Sequence, residues 1–176
     1  MIKFISNLFK SKKETFKDKT NFKELVAKKE ILDLFKLFNT YSEEAELRFV
    51  GGCVRKLIND EKVDDIDLAT NLKPEIVTEI LKKNNINYYE TGIDHGTITA
   101  VINKISFEIT SLRKDIKTDG RHAKIEYTKN WLDDASRRDF TINAIYSDID
   151  GNLFDPFNGK KDLNHGLIKF IGDPAI

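Results

Sequence analysis

The chain is poor in cysteine, proline and glycine, and it has no excess of charge of either sign. Its one cysteine, Cys53, cannot form an intramolecular disulfide, and the lack of CxxC pairs excludes the common zinc and redox sites. Lysine plus arginine and aspartate plus glutamate both total 29, so a general positive field is excluded and any nucleic-acid site must be local. These absences favour a protein of the reducing cytoplasm.

The composition that is present is that of a folded domain. Hydrophobic residues make up 40% and charged residues 33% of the 176 residues, which is long enough to bury a core. We expect an N-terminal extension over residues 1–20 and one domain over residues 21–176. The apolar residues of the extension are interrupted too early for a secretory signal or a membrane span. No stable membrane association is therefore expected, and a docked terminal segment is favoured over a weak amphipathic membrane helix.

Hydrophobic periodicity predicts an α/β fold with a mixed, mostly antiparallel sheet, flanking helices on one side and an active site on an exposed sheet face. One amphipathic helix is predicted over residues 21–38. A strand, a glycine turn, a short helix and a second strand are predicted between residues 47 and 70. The later predicted elements are a helix over 73–84, strands within 87–92, 95–103 and 105–112 with a tight turn at Asn103 and Lys104, an exposed loop over 113–130, a helix over 136–145 started by Ser136, a hairpin within 146–159, a helical turn over 160–166 and a strand over 167–173.

Two aspartates lie one residue apart in the strand pattern DDIDLAT. Side chains at this spacing leave the same face of a strand, so Asp65 and Asp67 can bind a divalent cation together. Carboxylates are hard ligands that suit magnesium, the usual companion of phosphates in transfer reactions. Such pairs are also common on solvated strand faces, so the pair alone is weak evidence for a metal site.

A pair of glycines, Gly51 and Gly52, lies where a predicted strand ends and a helix begins. Glycines there let a phosphate approach the backbone N–H groups, and the helix dipole favours an anion. Arg55, one turn into the helix, can contact a triphosphate or a sugar. The alternative is a tight turn with a surface arginine, because this is not the P-loop pattern and no Walker lysine follows. A phosphate cradle about a dozen residues before an acid pair is more specific than either part.

GGCVRKLIN followed by DDIDLAT resembles the signature of the nucleotidyltransferase superfamily that includes DNA polymerase β, in its class II branch of CCA-adding enzymes and bacterial poly(A) polymerases. HGTITAVI with FEITSLR is similar to the third sheet segment of that family, and ASRRDFTINAIY with DPFNGKKDL to its second diagnostic motif. The resemblance covers residues 46 to 174. It implies a nucleotidyltransferase head domain that adds CMP and AMP to RNA 3' ends without a template.

The resemblance also implies roles for individual residues. It puts Mg²⁺ on Asp65 and Asp67. Glu108, in a strand next to the acid pair, is either a third catalytic carboxylate or a strand glutamate paired with a lysine. The implied contacts to the nucleotide are Gly51, Gly52, Arg55 and Arg138. The second-rank candidates for phosphate, sugar or structural roles are Arg113, Arg137, Asp139 and Asn143.

The implied partners are ATP, CTP and the 3' end of an RNA, with tRNA preferred. The expected reaction is attack of the RNA 3'-hydroxyl on the α-phosphate with release of pyrophosphate. Poly(A) addition is a near alternative, because a head domain does not separate it from CCA addition. Two further alternatives remain. The first is a non-catalytic remnant or a subunit whose neck and body helices come from a separate chain. The second is a nucleotide-binding module without transfer activity.

The sequence departs from the family pattern at two places. Lys56 stands where the family usually has an aspartate after the arginine, so the turn is expected to be supported differently. The EDxxR helix that selects the incoming base in the family would begin just past residue 174, and the sequence printed here ends at Ile176. Base selection is therefore not assigned to these residues.

Other conspicuous side chains are expected to be structural. Cys53 is predicted to be a small buried hydrophobic residue rather than a nucleophile. The three histidines, His95, His122 and His165, lack metal-ligand spacing, so no zinc is assigned. Trp131 and Phe140 are expected to pack, and RNA contact by Tyr127 and its basic loop is the less favoured hypothesis.

Overall fold

The computed structural model describes residues 15–116 and 124–172. His122, residues 1–14 of the predicted extension and the end of the chain from residue 173 lie outside the described residues. The helices are α1 Thr20–Val26, α2 Lys29–Tyr41, α3 Gly52–Ile58, α4 Pro74–Lys83, α5 Trp131–Ser136 and α6 Gly159–Asn164. The strands are β1 Leu47–Val50, β2 Ile66–Thr70, β3 Asn87–Gly92, β4 Thr97–Ile102, β5 Ile105–Ser111, β6 Arg113–Ile116, β7 Lys124–Tyr127, β8 Tyr146–Ser147 and β9 Leu153–Phe154.

Seven strands form one mixed sheet in the order β3-β4-β5-β2-β1-β8-β9. The pair β2 and β5 is parallel, and the other pairs in this sheet are antiparallel. The prediction of a mixed, mostly antiparallel sheet with flanking helices is confirmed, but the prediction that the helices lie on one side is wrong, because α5 packs on the face opposite α2, α3 and α4. Within the described ranges, no helix combines the length and the apolar character that crossing a bilayer requires.

Successive side chains of the central strands point to opposite sides of the sheet, and this alternation gives the sheet two different faces. Leu68 of β2 and Phe107 of β5 are buried in the main core, which also takes in the apolar faces of α2, α3 and α4. Asp67 and Glu108, the next positions along these strands, point to the opposite face because side chains alternate. That face is covered at its β1 end by α5, whose Trp131 lies under the Arg48 guanidinium, 4.1 Å from the ring centre. Over β2, β5 and β4 the face stays open.

The predicted helix over residues 21–38 is two helices. α1 ends at Val26 and α2 begins at Lys29, with extended backbone at Lys28 (φ −68°, ψ 127°). The apolar spacing explains the break, because Leu25 is buried and the next fully buried side chain is Ile31. Between them only Val26 packs partly against the core, and Ala27, Lys28 and Lys29 are exposed.

The predicted loop over residues 113–130 is wrong for its described ends. β6 and β7 pair as a separate antiparallel ribbon, with Arg113 opposite Tyr127. Lys114 and Glu126 form a cross-strand ion pair at 3.2 Å. Because this ribbon is held by its own ladder and by charge pairs, rather than by a buried apolar face, it leaves no hydrophobic alternation in the sequence.

The predicted helix over residues 136–145 is also wrong, since α5 ends where that helix was expected to start. The side chain of Asn130 caps α5 by accepting the Leu132 N–H at 2.9 Å. Thr141–Asn143 form only a single 3₁₀ turn. Phe140 instead makes an isolated antiparallel bridge with Phe170, and over the described residues 167–172 this bridge is all that forms of the strand predicted over 167–173.

Several local signals predicted the structure correctly. The turn between β4 and β5 has positive φ at both Asn103 (49°) and Lys104 (68°), the backbone that a two-residue hairpin requires. Pro74 is the first residue of α4, where its missing N–H costs no helical hydrogen bond. The short β8–β9 hairpin closes through Asp148, whose carboxylate accepts the N–H of Asn152 at 2.8 Å.

Gly159, the first residue of α6, should not tolerate a side chain. A β-carbon there would collide with the carbonyl oxygen of Thr141, a backbone atom that cannot move aside cheaply. We expect Gly159→Ala to lower the free energy of unfolding by about 3 kcal/mol or more. Gly166→Ala is the control, because nothing lies within 4 Å of the added carbon and only its φ of 65° is unfavourable, at a cost of about 1 kcal/mol. Equal losses in urea unfolding would contradict the predicted collision.

Candidate active site

The turn from β1 into α3 brings bare backbone next to charged side chains. Gly51 has φ 62° and ψ −123°, a conformation that only glycine adopts readily. A β-carbon on Gly52 would lie 3.7 Å from Arg55 Nη2 and 3.8 Å from Asp67 Oδ2. The missing side chains therefore leave the space between an arginine and a carboxylate free for a ligand.

This turn opens into a cleft of about 660 Å³. The cleft gathers most of the residues that the sequence singled out, from the glycine turn, β2, β6 and the segment after α5. Its lining residues are Val50, Gly51, Gly52, Arg55, Asp67, His95, Thr97, Thr110, Arg113, Arg137, Arg138, Asp139 and Asn143. Arginine forks and the bare backbone of two glycines around one carboxylate form a site suited to a nucleoside triphosphate.

Three carboxylates lie along the open sheet face. Asp67 pairs in register with Glu108 on the parallel strand β5, and Asp65 lies one residue before β2 begins. Burial and the charges of Glu108 and Asp65 raise the pKa of Asp67 above its ordinary value, although Arg138 and Arg55 oppose this. In the described part of the chain, Glu108 has no lysine partner in an ion pair, so the predicted glutamate–lysine alternative gains no support.

Asp65 and Glu108 line a second cleft of about 430 Å³, adjacent to the first. Among the described residues there is no group of three or more His, Cys, Asp or Glu side chains placed to hold a metal. Magnesium commonly uses one or two protein carboxylates and takes its other ligands from phosphates and water. The carboxylates here fit that mode of binding, and they do not form an all-protein cage.

One buried carboxylate, Asp134 of α5, organises the arginines of the first cleft. Its Oδ1 accepts hydrogen bonds from Arg137 Nε at 2.9 Å and Nη2 at 2.7 Å. Its Oδ2 accepts Arg138 Nη2 at 3.2 Å and the Tyr146 hydroxyl at 2.7 Å. Arg113 joins through its backbone N–H, which donates to Oδ1 at 3.2 Å. The orientation of two cleft arginines thus depends on a side chain that does not itself line the cleft.

Electrostatics keeps this network ionised. Burial alone would raise the pKa of Asp134, but the charges of Arg138 and Arg137 outweigh it and hold that pKa below its ordinary value. Burial and the nearby Asp134 carboxylate raise the pKa of Tyr146, so its hydroxyl keeps the proton that it donates. The network is therefore a buried carboxylate between two guanidinium groups and a neutral phenol.

Two further contacts tie the cleft arginines to the chain. Arg55 donates from Nη1 to the side-chain oxygen of Asn143, whose backbone carbonyl accepts Arg138 Nη1 at 3.3 Å. Arg113 donates from Nη1 to the backbone carbonyl of His95. Asn143 therefore links the arginine of the glycine turn to the arginine that follows α5.

Asp139 and Lys56 contribute differently from the cleft arginines. The Asp139 side chain is exposed at the cleft wall, and its backbone carbonyl accepts the N–H of Ile171 at 2.9 Å. Lys56, at the position where the family usually has an aspartate, forms an ion pair with Asp64 at 3.5 Å. This ion pair connects α3 to the segment just before β2, so the turn is braced by a salt bridge outside the cleft.

The residues expected to be structural are placed accordingly. Cys53 is buried, and burial, followed by the charge of Asp67, raises the pKa of its thiol to about 12, which disfavours the thiolate. Trp131 is buried and Phe140 stacks against Phe170 with ring centres 4.8 Å apart. His165 lies at the end of α6, where Nδ1 is 2.7 Å from the Lys161 carbonyl oxygen.

Sequence reasoning missed Asp134 and Tyr146. The signal for Asp134 was present, since it precedes Arg137 and Arg138 by three and four residues, the spacing at which helical side chains meet. It was overlooked because the helix was predicted to start at Ser136, two residues too late for that pairing. Tyr146 carries no local signal, because only the fold brings its hydroxyl to α5.

Known proteins are similar to this chain in sequence. The profile of the poly(A) polymerase head domain family matches residues 47–169. The human mitochondrial CCA tRNA nucleotidyltransferase 1 is 47% identical over 131 residues, which cover 74% of this chain and 30% of that protein. The CCA-adding enzyme of Lactobacillus helveticus is 40% identical over 131 residues, covering 73% of this chain and 32% of its own length. The chain thus spans about a third of the length of these curated relatives.

Solved structures give the same result. The CCA-adding enzyme of Bacillus stearothermophilus in complex with CTP superposes with a TM-score of 0.70 at 28% identity, over 88% of this chain and 34% of that one. A tRNA nucleotidyltransferase complexed with a primer tRNA and an incoming ATP analogue gives a TM-score of 0.60 at 26% identity, over 76% and 38%. The fold predicted from the sequence is the fold of these proteins.

Removing the Asp134 carboxylate should be costly. Asp134→Ala leaves two guanidinium groups without their buried partner, and we expect a loss of about 3–5 kcal/mol in the free energy of unfolding. Asp133→Ala is the matched control, since this neighbouring carboxylate is half-buried and accepts from Thr128 and Asn130 only; its loss should cost about 1 kcal/mol. The gap between the variants should shrink as pH falls, because the folded Asp134 pKa is depressed and its contribution is lost as pH drops through that value. A gap that is absent at neutral pH would contradict this role.

Asp67 should behave in the opposite way. Its folded pKa is raised, so the stability that it contributes is present below the unfolded value of about 3.9 and is lost as pH rises through the folded value. At neutral pH without added metal, Asp67→Asn should therefore raise the melting temperature. Asp150→Asn, at an exposed loop position, should leave it unchanged. The prediction fails if Asp67→Asn is destabilising at pH 7 in the presence of a chelator.

Proposed function

The chain belongs to the poly(A) polymerase head domain family, and from this premise we propose that it is the catalytic head of an RNA nucleotidyltransferase that adds CMP and AMP to tRNA 3' ends. The observation that carries the proposal is the juxtaposition at the glycine turn. The backbone of Gly52, the Arg55 guanidinium and the Asp67 carboxylate enclose one space, with 3.7 and 3.8 Å separating the charged groups from the vacant β-carbon position.

In this proposal the first cleft binds the nucleotide. The triphosphate lies against the Gly51–Gly52 turn, where backbone N–H groups and two guanidinium groups, Arg55 and Arg138, offset its charge. Arg113, Asp139 and Asn143 contact the nucleotide or hold the residues that do. CTP and an ATP analogue are the nucleotides named for two of the solved relatives. CTP and ATP are the substrates proposed for this chain.

The proposed reaction joins the nucleotide to an RNA end. The oxygen of the terminal 3'-hydroxyl bonds to the α-phosphorus and its proton passes to solvent, while the bond from the α-phosphorus to the oxygen that bridges the α- and β-phosphates breaks and pyrophosphate leaves. Asp65 and Asp67, with Glu108 beside them, are proposed to hold Mg²⁺, which when bound supplies Lewis-acid stabilisation of phosphoryl oxygens. The arginines keep the α-phosphate in place for in-line attack.

Addition of CCA is favoured over poly(A) addition because the relatives at 40–47% identity carry the CCA name. Strict base choice and tight binding of whole tRNA are proposed to gain from further helices, from the rest of a longer chain or from a separate chain, whereas this chain alone is proposed to bind the nucleotide and the RNA 3' end. The cytoplasm is the proposed location, on the basis of the single buried cysteine; the human relative is mitochondrial by name.

The first test is incorporation of labelled CTP and ATP into tRNA that lacks its terminal CCA, in the presence of Mg²⁺. We expect incorporation by the parent chain. The Asp65→Ala Asp67→Ala variant should lose it, because the Mg²⁺ that neutralises the triphosphate loses both of its proposed aspartate ligands. Asp150→Asn serves as the control that retains activity. The order in which CTP and ATP are used separates CCA addition from poly(A) addition.

Binding of nucleotide by a folded parent chain without incorporation would refute transfer by this chain alone. That outcome would favour a head that needs its further helices or a nucleotide-binding module. Incorporation that survives the double substitution would refute the assignment of the acid pair.

A further inference from the structure

The second cleft has a composition of its own. Its floor contains Asp65 and Glu108, two of the three carboxylates on the open sheet face. Its rim carries three exposed lysines, Lys28, Lys62 and Lys104, from three separate parts of the chain. None of the three forms an ion pair with a residue in the described ranges. Three unpaired ammonium groups therefore surround an entrance to the carboxylates.

The backbone explains why these lysines converge. Lys28 occupies the extended break between α1 and α2, where the predicted single helix is interrupted. Lys104 is the second residue of the β4–β5 turn, with φ 68°. Lys62 belongs to the loop that leads into β2. Each lysine thus lies on a connection at the same end of the open face, next to the first residues of β2 and β5.

The two clefts meet at the carboxylates. Asp67 lines the first cleft, Asp65 and Glu108 line the second, and Asp67 lies directly opposite Glu108 in the register of β2 and β5. A reaction that joins two substrates at one set of carboxylates needs the two substrates to approach from different sides. Because the glycine turn and the arginines belong to the first cleft, the second is the side left for the other substrate.

We propose that the lysine-rimmed cleft binds the last phosphates of the RNA 3' end and so delivers the terminal hydroxyl to the carboxylates. This inference rests on the proposed function, since it assigns the second substrate of that reaction. The lysines offset the charge of the RNA backbone, which the carboxylate floor would otherwise repel. Asp64 adds little repulsion because it is paired with Lys56 at 3.5 Å.

The test compares two triple variants with equal loss of charge. Lys28→Gln, Lys62→Gln and Lys104→Gln are combined in one, and Lys36→Gln, Lys82→Gln and Lys161→Gln, all exposed and outside both clefts, in the other. Binding of fluorescent tRNA lacking CCA is measured over a range of salt, and CTP binding is measured beside it. The plot of log association constant against log salt concentration has a negative slope. For the cleft variant we expect this slope to become shallower by about 0.7 per lost phosphate contact, with CTP binding unchanged.

The control variant should keep the parent slope. An equal change in both variants would mean general attraction of RNA to a lysine-rich surface, and would overturn the proposal. Weaker CTP binding by the cleft variant alone would assign these lysines to the nucleotide instead. A parent chain that binds CTP but no tRNA would overturn the cleft as an RNA site.

A covalent probe tests the placement without requiring transfer. Periodate cleaves the 2',3'-diol of the terminal ribose to a dialdehyde, a lysine amine condenses with one aldehyde with loss of water, and cyanoborohydride reduces the imine to a stable amine. We expect the adduct on Lys28, Lys62 or Lys104 and its suppression by unoxidised tRNA. Adducts concentrated on Lys114 or Lys129 of the β6–β7 region, or no adduct, would overturn the proposal.

The two assays separate this inference from the proposed function. Labelling of the cleft lysines without nucleotide incorporation would support the cleft and count against transfer by this chain. Incorporation together with labelling elsewhere would support transfer and refute the cleft.

Discussion

The buried Asp134 carboxylate is the interaction on which the nucleotide side of the site depends. It is almost fully buried, and it stays ionised because two guanidinium groups and a phenol surround it. A single carboxylate thereby fixes Arg137 and Arg138 and seats α5 against β6 and β8. The packing of α5 therefore determines the geometry of the site, because the arginines are oriented by a side chain that faces the core rather than the cleft.

A second constraint is the alternation of the central strands. Leu68 and Phe107 belong to the core, so Asp67 and Glu108 must face the other way, side by side across a parallel pair. The fold thus brings like charges together, and burial together with their repulsion raises the pKa of Asp67. Under the proposed function, this loss of stability keeps negative charge where a cation and phosphates are to be bound.

The sequence could predict whatever rests on neighbours in the chain. The turn at Asn103 and Lys104 and the glycine turn at Gly51 depend on local backbone preferences, and both are as expected. The single helix predicted over residues 21–38 and the helix predicted to start at Ser136 are both wrong. Burial decides where α1 and α2 separate, and the Asn130 cap decides where α5 begins, so propensity alone does not fix either boundary. The role of Tyr146 could not be predicted, since its partner Asp134 is brought to it only by the fold.

The two clefts differ in a way that suits two substrates with different needs. A nucleotide must be held in one geometry for in-line attack, and the first cleft offers planar arginine forks fixed by Asp134 and Asn143. An RNA end that grows must shift after each addition, so a rigid set of contacts would hold it in the wrong register. The lysines of the second cleft have no ion-pair partner among the described residues and lie on connecting segments, so in the proposed function they would act as point charges on flexible stems that adapt to a moving phosphate. Rigid recognition on one side of the carboxylates and adaptable recognition on the other is the arrangement that repeated addition to one end requires.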